Sequence, residues 1–322
     1  MKKTLLLFAG LLATGMLFAT EQTEKKSLLP DYSQKVGFTY GLGADIVSNY
    51  IWRGLYVGGM GVQVDANVGY GGLFLDMWWN LGACDWTFQG TKNGGIGYNT
   101  PGRARVDGFN PEVDMTLGFS RWGLTVMFMH MYYFDNYMTG SHAGEPSRYF
   151  DFDNHPQGDG GITQEWRVKY RVSDALPISI LWCTRTWGRD GYLQPTFDQW
   201  GIPVGTELKR AYSSYLELGY DIYMPHSLCL EARVGMTPWK SMYTGFQGDF
   251  AVCNVSAKLN WHKDLSEHCM MTAFANLMIN PYDMAYTKES VDMNGNTIIS
   301  RFNINGANNP FLWNIGCGFY LK

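Results

Sequence analysis

Charge is scarce in this sequence. Asp, Glu, Lys and Arg make up 17% of its 322 residues, against about 25% in ordinary globular chains. That shortage argues against a soluble enzyme with a solvated surface. The formal net charge is only −4, with no basic stripe, so nucleic acid is not expected as a partner. Long apolar runs are also missing. Beyond the N-terminal twenty residues none approaches the length of a membrane-spanning helix, which needs about 18–20 residues. The six cysteines, Cys84, Cys183, Cys229, Cys253, Cys269 and Cys317, show no CxxC spacing and no clustering with His. A zinc site is therefore not expected. No glycine-rich phosphate loop joins a strand to a helix, and no cofactor or metal is expected.

What is abundant points elsewhere. Aromatics make up 16% of the chain and glycine accounts for 38 residues. Residues 1–19 read as a cleaved export signal, with Lys2 and Lys3 ahead of an apolar run from Leu5 to Phe18. Residues 20–36 are polar and read as a short periplasmic lead-in, and residues 37–322 as one domain.

That domain is dominated by alternation with a period of two. In GVQVDANVGY, Val62, Val64, Ala66, Val68 and Tyr70 share one parity, and Gln63, Asp65, Asn67 and Gly69 the other. LFLDMWWNLGA follows after Gly71-Gly72, a hairpin turn signal. The same unit recurs in about twelve segments, from GFTYGLGADIV to FLWNIGCGFYL. The connections alternate between tight turns and long loops, the latter near residues 48–60, 84–110, 135–161, 188–210, 238–249 and 280–309. This pattern predicts an all-β fold: a transmembrane antiparallel β-barrel of twelve strands, with short periplasmic turns and long extracellular loops.

Two features agree. Aromatics gather near the tight turns (Tyr70, Phe119, Trp122, Tyr170, Tyr220, Tyr223, Trp261, Tyr320) and at the far strand ends (Trp52, Trp79, Tyr133, Trp187, Trp239, Trp313), as two interfacial girdles would. Strand charges fall on one parity. The predicted pore lining is acidic at Asp45, Asp65, Asp76, Glu112 and Asp114, and basic at Arg167, Lys169, Arg171 and Arg185. On a closed circle these two groups lie on different walls, which implies a transverse field. The fifth strand, LTVMFMHMYY, is apolar on both faces and leaves the side of His130 open. Inward glycines such as Gly43, Gly118, Gly235 and Gly316 read as space and curvature in the lining.

The core Ser48-Asn49-Tyr50-Ile51-Trp52-Arg53-Gly54 resembles the S-x-Y-x-x-R-G signature of the TorF-like porin family of Gram-negative outer membranes, at the end of the first strand. PEVDMTLGFSRWGLTVMFMHMYYFDN resembles that family's later acidic strand, tight turn and aromatic strand, so the likeness spans residues 38–135. It implies an outer-membrane barrel and an outer-mouth motif of Tyr50, Arg53 and Gly54. Arg53 has two readings: a cation that selects solutes at the mouth, or a tie between a loop and the barrel rim, with Gly54 permitting a turn.

An enzymatic barrel, such as an outer-membrane phospholipase, would need Ser and His on one strand face. No His-x-Ser occurs here, and the single Ser-x-His, Ser266-Glu267-His268, falls at a tight turn rather than within a strand, so the chain is not read as an enzyme. DFDNHPQGDGG has oxygen ligands in Asp151, Asp153, Asn154 and Asp159, but Pro156 and Ile162 break the calcium-loop pattern. The reading is a porin-like outer-membrane channel for passive passage of small polar or charged solutes. Its alternative is a closed structural or surface-binding barrel with function in the long loops. Expected partners are outer-membrane lipid, small-molecule solutes and the barrel-assembly machinery during insertion.

Overall fold

In the computed structural model, the described residues are 37–82, 111–134, 145, 148–150, 161–246, 250–282, 287–291, 297–301 and 311–321. The export signal, the lead-in, Cys84 and the DFDNHPQGDG segment lie outside them.

The period-two segments form strands because β-branched and aromatic side chains alternate with small or polar ones on a pleated surface. Twelve strands close into an antiparallel barrel. They are β1 (Phe38–Val47), β4 (Gly61–Tyr70), β5 (Leu73–Gly82), β6 (Glu112–Arg121), β7 (Leu124–Tyr133), β8 (Ile162–Arg171), β9 (Ile178–Gly188), β12 (Ser214–Met224), β13 (Leu228–Thr237), β14 (Ala251–Ser266), β15 (Cys269–Ile279) and β18 (Phe311–Leu321). Each pairs with its neighbour in sequence, and β1 closes on β18 through Leu42↔Leu321 to Val47↔Gly316. Three further hairpins lie in long connections: β2 (Tyr50–Trp52) with β3 (Leu55–Gly58), β10 (Gly191–Phe197) with β11 (Pro203–Arg210), and β16 (Thr287–Val291) with β17 (Thr297–Arg301).

The outer surface is apolar. Leu42, Ile46, Val68, Leu117, Trp166, Val168, Ile180, Leu218, Leu277 and Ile315 are all exposed. Strands buried in a soluble core would hide these side chains. Here they form the lipid-facing band of a transmembrane barrel. No helix among the described residues is long and apolar enough to cross a membrane.

Pairing settles the fifth strand of the barrel, β7. His130 lies opposite Met115 and Gln164, in step with the exposed Leu117, Trp166 and Val168. It therefore sits on the outer face rather than in the lumen. It is buried there because Tyr149 folds over it, with the imidazole Nε2 3.2 Å from the Tyr149 carbonyl oxygen. β14 is the longest strand and turns only after Ser266.

Four of the girdle aromatics instead face inward. Tyr320 donates to Asp45 and Tyr223 accepts from Arg171, while Trp52 and Tyr133 belong to the outer half of the lumen. The inward glycines do not widen the bore. A Cβ on Gly43, Gly118, Gly235 or Gly316 would collide with the ring of Tyr320, Phe74, Tyr215 or Phe274 respectively. Rings from neighbouring strands lie over the glycines and take the space.

Candidate functional site: the occupied outer half of the lumen

The first long connection turns inward. Val47, Asn49, Leu55 and Tyr56 are each at most 2% exposed, and the β2–β3 hairpin stands inside the barrel. Its base is held by β18: Asn49 Nδ2 donates to the Trp313 carbonyl (3.0 Å), and the Ile315 amide donates to Ser48 Oγ (3.0 Å). Its tip reaches β8. Arg53 donates from Nη1 and Nη2 to the two carboxylate oxygens of Glu165, at 2.8 and 2.9 Å. Around the barrel, β18 and β8 are separated by five strands on either side, so they stand opposite each other. The hairpin therefore spans the bore.

The width of the bore decides what that means. Strands about 4.8 Å apart and tilted about 40° give a twelve-strand barrel roughly 24 Å across between backbones. Sheets pack about 10 Å apart, so a hairpin with a wall on each face accounts for about 20 Å. The rest is a narrow passage.

The guanidinium of Arg53 is enclosed. It lies 4.5 Å from the Trp52 ring and 4.7 Å from the Tyr215 ring, and it donates to the Tyr243 hydroxyl (2.6 Å) and Cys183 Sγ (2.8 Å). Tyr243 comes from a short 3-10 turn, Met242–Thr244, in the β13–β14 connection, which also folds inward. The backbone explains the Arg-Gly pair. Arg53 has φ 47° and Gly54 φ 82°, a left-handed turn that glycine makes easily. A Cβ on Gly54 would stand 2.0 Å from the Cys253 carbonyl oxygen, so no other residue fits there.

The acidic candidates lie along adjacent strands of the lumen. Asp65 and Asp114 both flank Trp78, and Asp76 lies between Asn67 and Thr116. Among the described residues no Lys or Arg forms an ion pair with Asp65, Asp76 or Asp114; Asp65 accepts from Asn67 Nδ2 at 3.0 Å. Asp45 is held by Tyr320 and Thr272. Glu112 lies beside Tyr50 and Tyr133. The basic candidates on β8 and β9 divide. Arg167 donates to Glu165 at 2.5 Å, and Arg185 donates to the Arg189 carbonyl at 3.3 Å. Arg171 contacts Asp174 (3.6 Å), Asp221 (3.9 Å) and the Tyr223 hydroxyl (2.8 Å). Lys169 faces Arg233, Asp221, Glu231 and Glu217.

Arg233, on the polar parity of β13, joins Glu217, Asp221 and Glu231 at 3.7, 2.6 and 3.1 Å. Sequence reading missed Tyr215 and Tyr243 as walls around Arg53; no sequence signal links these distant rings. Beyond the barrel wall, Asp190 follows β9, and burial raises its carboxyl above the usual range while the Ser213 amide donating to it (2.8 Å) opposes that rise. No three His, Cys, Asp or Glu side chains among the described residues are grouped to hold a metal. Among the described residues five cysteines are free: Cys183, Cys229 and Cys253 inside the barrel, Cys269 and Cys317 in outward register.

No family model matches the chain, and no curated protein matches it. Solved structures similar to it include the KdgM porin, at 6% identity over 88% of this chain and 98% of that one, with a TM-score of 0.35. Another is a NanC porin, at 9% identity over 88% and 100%, with a TM-score of 0.38. An outer-membrane channel from Pseudomonas putida F1 has 8% identity over 92% and 99%, with a TM-score of 0.38.

Proposed function

We propose that this protein is an outer-membrane channel that passes small polar or charged solutes through a lumen narrowed by its own first connection. The observation that carries this reading is the β2–β3 hairpin spanning a closed barrel from β18 to β8. A barrel with an apolar exterior belongs in a lipid bilayer, and an interior lined by ionised groups stays wet unless every charge is paired. The unpaired wall of Asp65, Asp76 and Asp114 supports a wet interior. In this reading those carboxylates, with Asp45, line one side of the path; Glu112 belongs to its outer end. Arg167, Lys169, Arg171 and Arg185 line the facing side. The export signal over residues 1–19 delivers the chain, and the barrel-assembly machinery inserts it. Among porin-like barrels we place it with the TorF-like family, on the motif that runs from Ser48 to Gly54.

The closed-barrel reading also has an observation in its favour: Arg53 fastens the hairpin by two charge-assisted bonds, the stronger class of hydrogen bond. Conductance separates the two. Purified protein in a planar bilayer should give discrete small steps in potassium chloride. A silent bilayer, with protein shown to be inserted, would favour the closed barrel.

A further inference from the structure

Facing the hairpin, at the outer ends of β6, β7 and β9, is a small pocket lined by Tyr50, Trp52, Glu112, Tyr133, Arg185 and Arg189. Its cavity is about 30 Å³, room for a group the size of a carboxylate. Its most unusual member is Arg185, which is 4% exposed. One nitrogen donates to the Arg189 carbonyl, and the guanidinium stands 5.5 Å from the Trp52 ring. Its Nε is buried with no hydrogen-bond partner, and no carboxylate among the described residues pairs with it. Burying a cation is costly, and the carboxylates that face Arg185 are Asp190 and Glu165, the latter already held by Arg53 and Arg167. Glu112 is the carboxylate in the same lining. Arg189 adds a second guanidinium, 5.3 Å from the Tyr133 ring.

We infer that this pocket is an entry subsite for small solutes bearing a carboxylate, with Arg185 as the group that receives it. A planar guanidinium matches a carboxylate in two parallel bonds. The lining holds two guanidiniums and one carboxylate. Tyr50, Trp52 and Tyr133 offer flat faces to the body of the solute. The pocket opens at the extracellular ends of its strands, beside the hairpin, so a solute would meet it before the narrow passage. The assignment rests on the channel reading for its biological role, but its test does not depend on conduction.

The test is calorimetric titration of the folded full-length barrel in detergent. The probe is gluconate, with glucose as the uncharged and glucosamine as the cationic counterpart. Gluconate should bind saturably in the millimolar range, with neither counterpart doing so. Arg185→Gln should weaken gluconate binding at least tenfold, the scale of a lost charge-assisted bond. Should that variant not fold, judged by its shift on an unboiled gel, Arg185→Lys decides. It keeps the charge but loses the planar fork, and severalfold weaker binding is expected. Absent gluconate binding, equal binding of glucosamine, or binding unchanged by the deciding substitution would each overturn the subsite. Conductance without gluconate binding sinks the subsite alone; gluconate binding without conductance sinks the channel reading and leaves the pocket standing.

Discussion

Arg53 and Glu165 are 112 positions apart and meet through two hydrogen bonds of 2.8 and 2.9 Å inside the barrel. Both are buried, at 7% and 0% exposure. Removing one partner of such a pair leaves an uncompensated charge and costs about 3–5 kcal/mol, whereas replacing both with apolar groups is often neutral. Arg53→Met should therefore loosen the hairpin, and Glu165→Met should cost at least as much, because it also removes the partner of Arg167. Cys183 reports the event, because its thiol is fully buried against Arg53. With the other cysteines replaced, its labelling should be slow in the parent and faster by an order of magnitude or more in Arg53→Met. Equal labelling would show that the pair does not hold the hairpin.

Asp76 and Asp114 carry no ion pair among the described residues, while Arg167 faces both. Asp76→Asn with Asp114→Asn should leave the barrel folded and shift selectivity toward chloride, by roughly severalfold in the permeability ratio. Reversal potentials in a salt gradient measure this. An unchanged potential would place the ion path away from that wall.

Leu218 points outward from β12 and is half exposed. Leu218→Arg should destabilise the barrel in vesicles by about 2–4 kcal/mol, the cost of a cation near the lipid midplane. Leu218→Phe should be near neutral. Urea unfolding reads both, and a harmless arginine would mean that this face does not meet lipid.

The tip of the β10–β11 hairpin turns at residues 198–202, where Asp198 accepts from the Trp200 and Ile202 amides. An epitope there should be reached by antibody on intact cells. One placed between Asp174 and Ala175, in the opposite set of turns, should not. The reverse result would invert the orientation of the barrel.

The strands were legible in the sequence because period-two patterning is local and lipid enforces it. β4 and β18 begin and end where GVQVDANVGY and FLWNIGCGFYL do. The parity that assigned Asp65, Asp76, Arg167 and Arg171 to one face is a property of each strand alone. The outer half of the lumen was less legible. Whether residues 48–60 fold out or in depends on Glu165, Tyr215, Tyr243 and Trp313, each more than a hundred positions away. No pattern within the loop encodes those partners. Tyr320 and Tyr223 show a different failure. Both were read as interfacial because they are tyrosines at strand ends, although Tyr320 shares its parity with Gly316 and Gly318. There register outweighs residue type. His130 could not be placed from β7 alone, and pairing with Gln164 settled it.

The central claim is that the hairpin, not the barrel wall, sets the width of the path. The direct measurement is single-channel conductance of the parent beside a variant in which residues 50–58 are replaced by a short Gly-Ser linker. The parent should give small steps. The variant should give steps several times larger, because a bore roughly 24 Å across between backbones is no longer divided. Steps of equal size in the two proteins, with both folded and inserted, would contradict the account.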